Sequence, residues 1–162
     1  MTDRQSTLLS LFKGWDAYQE QLAKAIAPLT AEQLALRAAP NLRSVGMIAA
    51  HITGARVRWF HRLMGQGSVD IHLLGTWDRP EAPVRSAAEL VGGLEESWQL
   101  IQNSLAQWTL ADLDFVFEGT YGGEEYSLTR QWIIWHVIEH DLHHGGEISL
   151  TLGAHGLLGL EL

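Results

Sequence analysis

Four stretches of this chain repeat apolar residues at steps of three and four, the spacing that gives a helix one oily face. The first carries Leu8, Phe12, Trp15, Leu22, Ile26 and Leu29. The second, expected from about Ser44 to Gly65, carries Ile48, His51, Ile52, Ala55, Trp59 and Leu63. The third carries Leu90, Leu94, Trp98, Ile101 and Leu105, and the fourth begins between Ser127 and Arg130 and runs to about Leu152. Such faces must be buried against one another. The pattern therefore predicts an all-α fold, a four-helix bundle forming one domain over residues 1–162.

The punctuation between these stretches agrees. Thr30-Ala-Glu-Gln33 and Ser86-Ala-Ala-Glu89 both have capping-box spacing, and Pro40 stops the short helical turn that the first box opens. Gly65, Gly67, Gly75, Pro80 and Pro83 mark residues 65–85 as a long crossover loop between the second and third helices. Loops of that length often serve function, as lids do. Residues 115–127 alternate aromatic and β-branched side chains around Gly122-Gly123, which predicts a short β-hairpin before the fourth helix.

Composition removes several function classes. The formal net charge is −8 and no basic run occurs, so a nucleic-acid partner is not expected, nor is an anionic membrane surface. No stretch is long and apolar enough to span a bilayer, and Met1-Thr-Asp-Arg-Gln5 opens no signal-peptide run, so a cytoplasmic location is expected. The absence of cysteine excludes disulfides, thiolate metal ligands and a protein thiol nucleophile. Seven tryptophans suggest a core or pocket built on large aromatic surfaces, and they would suit a homodimer interface.

Residues 136–144 read His-Val-Ile-Glu-His-Asp-Leu-His-His. His136, His140 and His144 recur every four residues and share one slowly drifting helical face, with His143 on its flank. Buried imidazoles each need hydrogen-bond partners, so four of them on one helix make poor core filler. Glu139 and Asp141 are the better candidates for the wet face of that helix. Two imidazoles one turn apart, joined by a third from another helix, can bind a divalent metal and leave coordination positions open. Spacing alone does not choose between His136/His140 and His140/His144, and a lone His51 on an apolar face reads more readily as a core residue. His61, His72 and His155 have no partner at metal spacing and read as surface or loop contacts.

The segment His140-Asp-Leu-His-His144-Gly-Gly-Glu-Ile148 resembles the last-helix signature of the DinB-like (DinB/YfiT) superfamily, His-x-x-x-His-x-Gly-Gln/Glu. Met47-Ile-Ala-Ala-His51 resembles that superfamily's second-helix motif, and the order of elements also matches, so the likeness covers nearly the whole chain. The resemblance implies a metal triad of His51, His140 and His144, with His136 a pocket residue and His143 structural. Two departures bear on the substrate rather than the metal: Gly145 stands where arginine is common, and Glu147 where glutamine is often found. Gly145-Gly146 inside a helix costs roughly 1–2 kcal/mol relative to alanines, which the close approach of another helix or a ligand would rationalise.

The metal is expected to be Zn, Ni, Fe or Mn. Through the resemblance, the expected activity is a thiol S-transferase type of reaction, in which a metal-activated low-molecular-weight thiol attacks an electrophilic small-molecule substrate. A metal-bound hydroxide acting as a hydrolase and a non-catalytic metal-binding stress or interaction protein are the alternatives. Glu147 and His136 are the candidates for proton relay or ligand orientation. Trp59, Tyr121 and Tyr126 could line a pocket or simply pack.

Overall fold

The computed structural model describes residues 7–161. The N-terminal reading of Met1 to Gln5 lies outside them. Within this range the chain is mostly helical: α1 (Lys13–Ile26), a short α2 (Ala31–Leu34), α3 (Val45–Val57), α4 (Ala87–Gln107) and α5 (Arg130–Ala154). One antiparallel pair, β1 (Val116–Tyr121) and β2 (Glu124–Thr129), precedes α5. The all-α expectation is corrected to that extent. The small sheet is the hairpin anticipated around Gly122-Gly123, with Tyr121 paired to Glu124 across a two-residue turn.

Both capping boxes form. The Thr30 hydroxyl accepts from Gln33 N–H while Gln33 returns the bond to Thr30 N–H, and Ser86 and Glu89 do the same at the start of α4. Ser44 and Thr129 cap α3 and α5 with their hydroxyls. The second helix departs from the expected run to Gly65. After Val57 it widens into a π-helical turn over Arg58–Leu63, in which Met64 N–H reaches Trp59 C=O at 3.2 Å. A π turn inserts a residue and rotates the chain beyond it, and such turns are common at functional sites.

The crossover is not all loop. Val69–Thr76 forms a 3-10 helix that buries Ile71 and Leu74, three residues apart. Three is the period at which side chains of a 3-10 helix eclipse, so the pair anchors one face to the core despite the flanking glycines.

α3 lies at the centre, packed against α4, α5 and the 3-10 segment. One core cluster joins Phe60, Trp98, Ile101, Leu105, Trp108 and Ile133 near the hairpin end. A second joins Leu22, Ile26, Ile52, Leu94, Ile148 and Leu152 toward the opposite end. Where the two meet, Arg56 and Asp141 form a fully buried ion pair, with Arg56 Nε and Nη2 at 2.9 and 2.8 Å from Asp141 Oδ2. Trp15 Nε1–H donates to the same oxygen at 2.8 Å, and Arg56 Nη1 donates to Gln19 at 2.6 Å and to Leu94 C=O at 3.3 Å. This knot ties α1, α3, α4 and α5 at mid-height. Asp141, expected on the wet face, is instead 0% exposed, because α1 arrives on that side carrying Trp15 and Gln19. Glu139 is exposed, as expected.

Candidate metal centre

A helix enclosed as α3 is has few ways to place a polar side chain except inward. His51 projects from it toward α5, where His140 and His144 stand on successive turns. One ring nitrogen of each lies within 4.8 Å of the other two, and His51 Nε2 is 3.0 Å from His140 Nε2. The ring centroids are 4.3 to 4.8 Å apart.

Two carboxylates orient these rings. His51 Nδ1–H donates to Asp78 Oδ2 at 2.6 Å, and His144 Nδ1–H donates to Glu147 Oε2 at 2.6 Å. An ionised carboxylate only accepts, so both imidazoles carry a proton on Nδ1 and turn Nε2 toward the cluster. Asp78 is itself clamped by Arg58, whose Nη1 and Nη2 donate to Oδ1 and Oδ2 at 2.7 and 2.9 Å. Burial pushes the Asp78 carboxyl up, but the bonds from His51 and Arg58 outweigh that and hold it well below the usual carboxylate range. Gly54, one turn beyond His51, leaves room for the clamp: a Cβ there would sit 2.9 Å from Arg58 Nη1 and 3.1 Å from Asp78 Oδ1.

Burial, followed by the charges of His144 and His51, brings the His140 pKa down to about 3. Burial also lowers His144, with the Glu147 hydrogen bond opposing it. Neutral imidazole is the ligating form. Among the described residues His140 Nδ1 is buried without a hydrogen-bond partner, so this ring is met by the protein only through another histidine. Three converging imidazole nitrogens, two of them on rings with carboxylates behind them, fit a divalent cation.

The other anticipated residues fall elsewhere. His136 stacks on Trp132 with centroids 4.9 Å apart and meets the Trp59 edge at 4.8 Å, outside the group of converging donors. His143 is exposed and lies 3.5 Å from Glu147 Oε1, forming with His144 and Glu147 a second, more exposed group of potential metal donors. His61, His72 and His155 bond to the carbonyls of Gln66, Val69 and Arg37. Tyr121 is exposed at the hairpin turn, and Tyr126 crosses over Gly119 in the sheet, so neither is a site residue. Gly145 lets the Tyr18 hydroxyl approach α5 closely, while Gly146 faces open space. Nothing in the sequence singles out Asp78 or Arg58. Asp78 follows a loop tryptophan 27 residues from His51, with no spacing rule to connect them.

Two clefts are walled in part by residues that support the triad. One of about 410 Å³ lies between α5 and residues 38–43, with Glu147 on its wall; the other, of about 690 Å³, has Arg58 on its wall. No helix of the described residues is long and apolar enough to cross a membrane.

The DinB family model matches residues 1–158. A DinB-like protein from Bacillus cereus ATCC 10987 has a similar crystal structure, with a TM-score of 0.74 at 22% identity over 98% of this chain and 99% of that one. A conserved protein from Enterococcus faecalis superposes with a TM-score of 0.67 at 18% identity over 91% of this chain and 99% of that one. At these identities the two structures speak to the fold. No curated protein matches the chain.

Proposed function

This chain belongs to the DinB family, and on that premise we propose that it is a metal-dependent enzyme of the thiol S-transferase type, with His51, His140 and His144 as its metal ligands. The observation that carries the metal reading is the pair of 2.6 Å bonds that the Nδ1–H groups of His51 and His144 donate to Asp78 and Glu147. Carboxylates placed behind imidazoles fix the tautomer and raise ligand basicity, which a merely structural histidine does not need. His51, His140 and His144 would hold a divalent ion without cancelling its charge, and the ion would supply acidification of a thiol or water bound to it.

The chain's own groups take the remaining roles. Asp78, held by Arg58, keeps His51 in register. Glu147, half-buried and bonded to His144 Nδ1, holds that ring and is our candidate to relay, through His144 or solvent, the proton that a small thiol would give up. The thiol sulfur then forms a bond to an electrophilic carbon as the leaving group departs. Trp132, His136 and Trp59 make an aromatic wall one turn along α5 from His140, suited to a flat or apolar substrate. Trp135 and Leu142, exposed seven residues apart on α5, suit pairing with a second copy, which sedimentation of the parent and of W135A would reveal.

The test is a panel of low-molecular-weight thiols and electrophiles offered to metal-loaded protein. Conjugation that requires metal and falls at least about a hundredfold in H140A supports the reading. Ester cleavage without thiol would point to a hydroxide route. No turnover by protein that retains its metal would leave a non-catalytic binding module.

A further inference from the structure

The larger cleft differs in charge from the molecule around it. The chain carries a net −8, yet this cleft of about 690 Å³ is walled by Arg58, Arg62 and Arg79 together with His61 and His72. Arg58, Arg62 and His61 come from the π turn; His72 comes from the 3-10 segment, and Arg79 from just beyond it. Arg58 is neutralised by Asp78. Arg62 and Arg79 are exposed, and among the described residues neither guanidinium has a carboxylate partner. The cleft wall therefore includes two arginines without a counter-charge. Elsewhere among the described residues Arg56, Arg85 and Arg130 each have a carboxylate within 4.0 Å, whereas Arg37 and Arg43 have none; the larger cleft is the one with two such arginines in its wall.

We propose that this cleft binds a small organic anion through Arg62 and Arg79, with the anion's carboxylate or phosphate group lodged beside the Arg58–Asp78 clamp of the metal centre. Its volume lies in the range of small-ligand sites, and two guanidinium forks recognise an oxyanion by paired hydrogen bonds. Arg58 belongs both to this wall and to the clamp behind His51, so an anion seated here is next to the metal site without occupying it. The inference rests on the proposed function for its meaning, since it gives that site an acidic substrate or thiol, but the binding itself requires no metal.

Calorimetric titration of succinate and of inorganic phosphate into metal-free, chelator-dialysed protein tests it. Saturable binding is expected in the parent, weakened at least tenfold in R62A/R79A and unchanged in K13A/K24A, which removes two charges from α1. Neutral dimethyl succinate should not bind. Preference for succinate or for phosphate identifies which oxyanion the cleft takes. Circular dichroism confirms that the variants fold. No saturable binding by the metal-free parent, or equal affinity in R62A/R79A, would overturn the proposal. Binding that appears only after metal loading and ignores the arginines would assign the anion to the metal, sinking this inference while leaving the metal centre intact.

Discussion

At Asp78 a carboxylate of the crossover reaches a histidine of α3 and an arginine of the π turn at once. If that contact orients His51 for a metal ion, D78N should weaken metal affinity by about 10- to 100-fold while leaving the fold unchanged, measured by competition with a chromophoric chelator. The triad itself is legible in the sequence because His140 and His144 are one turn apart and because the flanking residues resemble a known signature. Asp78 is not, since its role depends on the path of a glycine- and proline-rich segment that no periodicity describes. Asp141 misleads for a different reason. It sits about 100° around the helix from His140, and only the arrival of α1 turns that direction into interior. There the Arg56–Asp141 pair is fully enclosed, so D141N should leave a buried guanidinium without its counter-charge. The expected loss is about 3–5 kcal/mol in urea unfolding.

Helices are the most legible elements, because burial of one face writes a period of 3.6 into the sequence and capping boxes mark its start. The 3-10 helix at Val69–Thr76 and the π turn at Arg58–Leu63 escape that signal, since each departs from the α-helical period over a short run. The expectation of a close approach at Gly145-Gly146 holds for Gly145 alone, where α1 presses the Tyr18 hydroxyl against α5. G145A should therefore destabilise the protein by about 1–3 kcal/mol. Adding Y18F, which removes the nearest atom, should recover part of that loss in a double-mutant cycle. Burial raises the Tyr18 phenol to about 12, with the Asp141 charge adding to the effect and Arg56 opposing it. Between the ordinary value near 10 and about 12 the unfolded chain has released a proton that the folded chain keeps, so stability should fall as pH rises through that window. The slope is at most about 1.4 kcal/mol per pH unit, and Y18F should remove it from a comparison of urea midpoints at successive pH values.

Over the whole molecule, the triad joins α3 to α5 at the height where the two core clusters meet, beside the buried ion pair that joins the same two helices to α1 and α4. The centre of the fold and the candidate site are thus built from adjacent residues: His140 beside Asp141, and His51 five positions before Arg56. A rigid polar knot behind the ligands fixes the separation of their helices, which pre-organisation of a metal site requires. The measurement that bears most directly on this is elemental analysis of protein purified without a metal-binding tag, alongside H51A and H140A. About one divalent ion per chain is predicted for the parent, with loss from both variants, as three-histidine coordination demands. Protein that folds and holds no metal after equilibration with Zn, Ni, Fe or Mn, or that keeps its ion when His51 and His140 are removed, would contradict it.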